Sequence, residues 1–537
     1  MKKIIRNIVP VAALALTFGL ASCVNDLDVT PLDDDRTTDY DVNALFTKCY
    51  SVLALEGNEG ADAASDIDGM DGGMSGFIRQ MCNANNLTTD EVISWWGDPG
   101  ISEYCYNTYG PGHPMLNGYY SRLTTAINFD NTYLAVAGDH DATMTAEVRF
   151  LRALEYYYLM DAFGNVPFAT SPLTTPSRMA RADMYEWLIN EINEIEPLLP
   201  AAKAKKSTDI GYGRVDKAAA WMLLARLYLN AEVYTGKAEW AKAAEYAKKV
   251  MDSDYRLNTE GKGGWSAYQM LFMGDNGETD AAYEAIFPLL ADGIYATGYA
   301  HSFFLMASTF DGDMHENPNS PEVTNGTSET WSGYRARPQF VAKFFENTAD
   351  VPELPAYLMY QIAGDDRALF NNIGHTLSTG DNTGFKQGWG IAKFNNFKTD
   401  GSIGHDTKYP DTDFFLMRVA EAYLTYAEAM ARQNGNVATG EAATAINAIR
   451  NRAHASTKDR YTMNEILDEW SREFYFEGRR RVDLIRHNKF GGNNGYNWEW
   501  KGGTPGGSNF EEYKNIFAIP ANQVGGAITQ NPGYPVN

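Results

Sequence analysis

The chain has 537 residues and carries a formal net charge of −24, from 45 Lys and Arg against 69 Asp and Glu. A nucleic-acid binder needs a basic footprint to release counterions, and none is visible; the same balance disfavours phosphorylated substrates and attachment to an anionic membrane by charge alone. With 44% hydrophobic and 21% charged residues the composition excludes a disordered chain, and the length suffices for a large core without disulfides.

Residues 1–22 read as a secretory leader. Lys2, Lys3 and Arg6 form a basic start, and the apolar run from Val11 to Leu20 is shorter than a membrane span requires. The run ends in Leu20-Ala21-Ser22-Cys23, small residues before a cysteine, as a lipoprotein signal peptidase requires. Cys23 is therefore the expected lipid anchor, each buried methylene of an acyl chain adding about 0.8 kcal/mol. The acidic, turn-rich residues 23–40 read as a tether, and residues 41–537 as a single domain. Cys49, Cys82 and Cys105 are an odd set with no zinc spacing, and are expected as buried thiols.

Further along, helical periodicity appears in blocks. Leu151, Leu154, Tyr158 and Ala162 step by three or four, as do Trp221, Leu224, Ala225 and Tyr228. Leu416, Ala420, Tyr423, Ala427 and Met430 keep the same rhythm, followed by Ala442, Ile446, Ile449 and Ala453. Large rings mixed with alanines suit closely stacked helix hairpins. The spacing predicts paired helices over 217–232 with 238–252 and over 413–433 with 439–453, and a further pair over 144–162 with 183–198. The helical segments thus fall at about 144–252 and 413–476. Residues 56–120 and 255–412 are rich in Gly, Asn, Asp and aromatic residues with many turn signals, and are expected as functional loops.

No nucleotide loop, dinucleotide fingerprint, zinc-protease helix or nucleophile elbow occurs, and the eight histidines are scattered. The loops offer another chemistry. Trp95 and Trp96 adjoin in SWWGDPG, Tyr299 lies in GYAHSFF and Trp331 in SETWSGYRARPQF. Rings stack on the apolar C–H faces of sugars, while sugar hydroxyls need polar partners, because a buried unpaired polar group costs about 1–3 kcal/mol. Any one such ring is also read as ordinary packing. Asp275 and Asp280 in DNGETD, with Asp411 and Asp413 in YPDTDFF, are oxygen donors of the kind Ca²⁺ takes, or else solvated acidic turns.

Taken in order, the lipobox, EVRFLRALEYYYLMDAFGNVPF, GRVDKAAAWMLLARLYLNAEVYTG, GDDRALF, YPDTDFFLMRVAEAYLTYAEA, INAIRNRA, EWSREFYFEGRRRVDLIRHNKF, FAIP and QNPGY make the chain resemble the SusD/RagB family of outer-membrane glycan-binding lipoproteins. The resemblance runs nearly end to end and is strongest to the starch-binding member. It implies a mostly α-helical fold of four tetratricopeptide-like helix pairs with a loop-rich ligand-binding half. It also implies no catalysis, a place at the cell surface, and a SusC-like TonB-dependent transporter as partner. By that resemblance Trp96, Tyr299 and Trp331 form an aromatic arc for α-1,4-glucan, with Arg79 and Asp71 as polar contacts. Glu473, Glu477, Arg479, Arg480 and Arg481 belong to a structural signature rather than to a ligand site. Two departures stand out. Pro99 replaces an asparagine of the arc loop, leaving Asp98 to accept hydrogen bonds. Gly277 replaces a carboxylate of the structural Ca²⁺ site implied at Asp275, Asp280, Asp411 and Asp413.

Overall fold

The computed structural model describes residues 40–535 apart from 59, 62–63, 316–323 and 381–383. The leader, Cys23 and the tether up to residue 39 lie outside the described residues. The contacts divide the chain after Leu45, and everything below concerns the unit Phe46–Asn537.

The architecture is mostly helical. The elements used here are α1 (Phe77–Cys82), α2 (Pro114–Ala137), α3 (Ala142–Phe163), α4 (Arg181–Ile195), α5 (Lys217–Leu229), α6 (Trp240–Met251), α7 (Ser302–Ala307), α8 (Ala356–Ala363), α9 (Val419–Gln433), α10 (Glu441–Arg452), α11 (Met463–Phe474) and α12 (Arg480–Arg486). Helix α3 packs against α2 and α4, and α6 packs against α5 and α9. Helix α9 in turn packs on α10 and α11. Buried Ala218, Ala219 and Ala220 on α5 and Ala243, Ala244 and Ala247 on α6 leave room for close approach. No described helix is long and apolar enough to cross a membrane.

The helix ends follow from local chemistry. Asp141 caps α3 by accepting from Met144 N at 2.8 Å, and Gly164, at φ 70°, ends it. Asp216 caps α5 through Ala218 N at 2.8 Å. Thr462 and Glu465 form a reciprocal capping box at the start of α11.

Three expectations change in detail. The helix predicted over 217–232 breaks at Asn230, and Ala231–Thr235 form a separate short turn ended by Gly236 at φ 76°. Residues 414–418 are not helical but extended, pairing antiparallel with Ala285–Leu289. Phe414, Phe415, Leu416 and Met417 are all buried, so both faces of this segment need apolar residues. Helix α2 begins inside the stretch expected as loops, with Pro114 at its first turn and His113 as its cap.

The signature segment is largely internal, with Glu477 and Arg479 half-buried. Arg418 bonds both Glu473 and Glu477, and Arg367 bonds Asp365, Glu469 and Glu473. Arg452 bridges Glu284 and Glu473, and Arg480 holds Asp90. The surrounding guanidinium groups keep the Glu469 and Glu473 carboxyls far below the usual range despite burial. A second buried group is different. Asp130 on α2 and Glu155 on α3 are completely buried beside Cys49, and burial pushes both carboxyls well up. Cys49, Cys82 and Cys105 are free and buried, their thiols also pushed up by desolvation.

Candidate functional site

A short antiparallel pair builds one side of the site. Val92–Ser94 pairs with Tyr334–Ala336, Ser94 lying opposite Tyr334. Trp95 and Trp96 leave one strand where Trp331, Ser332 and Gly333 enter the other, so two tryptophans distant in sequence meet. Trp96 donates its indole N–H to Ser332 O at 2.8 Å. This needs an unusual backbone: Ser332 sits at φ 62° and Gly333 at φ 104°. A Cβ on Gly333 would lie 2.2 Å from Trp96 Nε1, so only glycine serves there. Trp331 donates its own indole N–H to Glu329 Oε2 at 3.0 Å and its backbone N–H to Ala307 O at 2.7 Å.

The Trp96 and Trp331 rings lie 6.1 Å apart, and Trp331 and Tyr299 6.4 Å apart at 30°. The three expected rings are therefore contiguous and half-buried. Phe303 and Phe304 of α7 form the floor: Phe303 meets Trp331 edge-on at 5.1 Å, and Phe304 meets Trp96 at 6.3 Å.

Arg79, on α1, lies 5.6 Å from the Trp96 ring and 5.1 Å from the Phe304 ring. Its backbone is tied by a bond from Arg79 N to Ala300 O at 3.0 Å. Its Nε is buried and has no hydrogen-bond partner among the described residues. Asp71 is exposed and accepts from Met74 N at 2.9 Å. Asp71 and Arg79 flank Gly73, where a Cβ would meet both side chains. Asp98 is exposed on the rim next to Pro99. The 95–100 loop is fastened at both ends. Trp95 Nε1 donates to Gln387 O at 2.9 Å, and His113 Nε2 donates to Gly100 O at 2.9 Å while its Nδ1 accepts from Leu116 N. Burial lowers the His113 pKa to about 4, which keeps this ring neutral.

Sequence reasoning missed several members. Lys408 donates to Tyr299 OH at 2.6 Å and lies 4.9 Å from both the Tyr299 and Tyr409 rings. Glu56 is buried behind the arc and accepts from Ala300 N, fixing the residue next to Tyr299. Burial pushes its carboxyl up to about 7. No periodic signal marks these residues; the doublet Phe303-Phe304 beside Tyr299 was the one available hint.

The four carboxylates implied for Ca²⁺ do not meet at one point. Asp280 is exposed and paired with Lys206 at 2.6 Å. Asp275 accepts from Thr399 N at 2.9 Å and Thr399 Oγ1 at 2.6 Å. Asp411 is paired with His405 at 2.8 Å and Lys398 at 3.4 Å. Asp413 accepts from Tyr212 OH and Ala291 N, and burial pushes it up to about 7. Asp411 and Asp413 do border one cleft with Asp292, and Asp411 Oδ1 has no partner there. A Cβ on Gly277 would lie 2.8 Å from Asp413 Oδ2, so the missing carboxylate is the one that would face Asp413. Among the described residues no group of three or more His, Cys, Asp or Glu is placed to hold a metal ion. The donor set present does not fit Ca²⁺.

Comparison with known proteins adds to this geometry. The model of the SusD family matches residues 364–534. The starch-binding protein SusD of Bacteroides thetaiotaomicron is 38% identical over 99% of both chains. SusD-like protein P2 of Formosa agariphila is 24% identical over 73% of this chain and 76% of its own. Among solved structures, a laminarin binding SusD-like protein superposes with a TM-score of 0.65 at 19% identity, over 93% of this chain and 100% of that one. A SusD homolog from Bacteroides thetaiotaomicron gives 0.66 at 18% identity, over 92% and 96%. Identity of 38% over 99% of both chains makes this chain a member of the SusD family.

Proposed function

We propose that the chain is a non-catalytic cell-surface receptor for α-1,4-linked glucans, starch or maltooligosaccharides, handing them to a SusC-like TonB-dependent outer-membrane transporter. One observation carries the reading: Trp96, Trp331 and Tyr299 form a contiguous half-exposed row, although they come from three separated segments. Both arc indole N–H groups are spent inside the protein, so the rings act as fixed stacking faces. Arg79, Asp71 and Asp98 are the polar groups at hand for sugar hydroxyls. The relative named as a starch-binding protein supports the choice of glucan. The lipobox at Cys23 supports anchoring at the outer membrane. Weak individual contacts suit a polymer engaged by many receptor copies.

The test is affinity electrophoresis of the chain lacking residues 1–23 through gels containing amylopectin, levan, xylan or pectin. Retardation by amylopectin is expected, with most of it lost in Trp96→Ala and in Trp331→Ala while both variants stay folded. Full retardation of both variants would overturn the site. A second reading keeps the role and changes the glycan. It is favoured by Pro99 in the arc rim, and retardation by another polymer but not amylopectin would establish it.

A further inference from the structure

Away from the arc, the tight turn Lys262–Trp265 faces helix α8 across a cleft of about 280 Å³. Lys262 and Trp265 exchange backbone hydrogen bonds at 3.1 and 3.0 Å, with Gly263 at φ 63° and Gly264 at φ 89° between them. Two consecutive left-handed residues make this a turn that requires glycine. A Cβ on Gly263 would strike Thr399 O at 1.8 Å, whereas one on Gly264 would meet nothing within 4 Å, so the turn is pinned behind and open in front.

Opposite the turn, Tyr357 and Tyr360 sit three residues apart on α8 and are half-buried. Trp265 stacks on Phe397 at 5.9 Å and 23°, which fixes its ring as one wall. Among the described residues no charged side chain lines the cleft, in a chain that is 21% charged. Its polar groups are two carboxamides, Gln269 and Gln361, each able to donate and to accept. Gln269 is only 6% exposed. Its Oε1 accepts from Ser266 N at 2.9 Å and its backbone N–H is held by Ser266 Oγ at 3.2 Å. This orients the amide, whose oxygen is taken up inside the protein.

We infer that this cleft is a second glycan-binding site. Three rings, two uncharged amides and a bare glycine turn match a neutral sugar, with its C–H faces and vicinal hydroxyls, and offer nothing to an ion. The inference rests on the proposed glycan-receptor function and extends it. Two separated sites on one chain can hold one polymer at two points, so the second raises retention of long chains more than that of short ones.

The test uses the chain lacking residues 1–23, whose described core lies beyond that cut, and the gel polymer that retards the unaltered protein. Tyr360→Ala is expected to lower retardation about threefold through lost two-point attachment. Its melting temperature should stay unchanged. Leu358→Arg, at a solvent-exposed position on the cleft rim, should do the same without removing a ring. In a Trp96→Ala, Trp331→Ala background the residual retardation should vanish on adding Tyr360→Ala. Unchanged retardation in both cleft variants overturns the second site and leaves the arc standing. Passage of the unaltered protein through every gel overturns both. Loss of all retardation in the arc variant alone, with none attributable to Tyr360, also overturns the second site.

Discussion

The buried arginine signature and the aromatic arc use the same residue types to opposite ends. In the signature, Arg367, Arg418, Arg452 and Arg480 are fully buried, and each meets carboxylates at hydrogen-bond distance. In the arc, Arg79 lies over rings with its Nε bonded to nothing among the described residues, and Asp71 and Asp98 face solvent. Ion pairing and burial separate the two. A fully buried cluster whose guanidinium and carboxylate groups pair with one another is architecture, and a half-buried arginine lying over rings beside exposed carboxylates is available to a ligand.

The largest effect should come from breaking the buried, ion-paired side. Glu473→Ala would leave Arg367, Arg418 and Arg452 short of a shared partner in a buried site, at a cost of about 3–5 kcal/mol. Urea unfolding measures this, and a loss under about 1 kcal/mol would contradict the ledger of partners. The Asp130–Glu155 pair gives the next effect, with opposite sign to the signature. Both carboxyls are raised in the folded state, so the folded chain binds more protons than the unfolded one as pH rises above about 4. Stability should therefore fall between pH 5 and pH 8, by up to about 1.4 kcal/mol per pH unit for each such group. Cys49 and Arg152 face the pair, and the nearby Arg152 guanidinium offsets part of the rise. Asp130→Asn should flatten the curve, and an unchanged slope in that variant would assign the pH dependence elsewhere.

On the arc side the effects are smaller and fall on binding. Gly333→Ala should push the Trp96 ring out of its place and weaken polymer binding about tenfold, which is about 1.4 kcal/mol; equal affinity would show that the ring position is not what binds. Trp95→Phe sharpens the contrast between neighbours. It removes only the bond to Gln387 O, so stability should drop by about 1 kcal/mol with glycan retardation unchanged. Lost retardation would move Trp95 into the site.

The helices were legible because their apolar stripes are local; the caps Asp141, Asp216 and Thr462, equally local, fix the starts in the structure but were not read from the sequence. Residues 414–418 were not, because four consecutive buried apolar residues carry no period that separates a helix from a strand. Their partner, Ala285–Leu289, is far away in sequence. The arc rings were picked out by their place in the loops, but only the family resemblance set them above ordinary packing. Lys408 and Glu56 escaped because each earns its place through one contact with the 299–300 segment, which no spacing encodes. The Ca²⁺ set was read from four acids close in two short motifs, but Lys206, Lys398 and His405 had already claimed two of them.

The three sequestered cysteines make the molecule its own unfolding reporter. A thiol reacts as thiolate, and burial holds Cys49, Cys82 and Cys105 in the protonated form behind packed side chains. A colorimetric thiol reagent added to the native chain lacking residues 1–23 has nothing to modify until the structure opens. Its uptake then clocks opening residue by residue. Cys82 lies on α1 with Arg79 and Cys105 accepts a hydrogen bond from Ser94 N, next to the arc loop. Cys49 lies against the Asp130–Glu155 pair. Labelling order would thus tell whether the sugar-facing loops let go before the helical scaffold does.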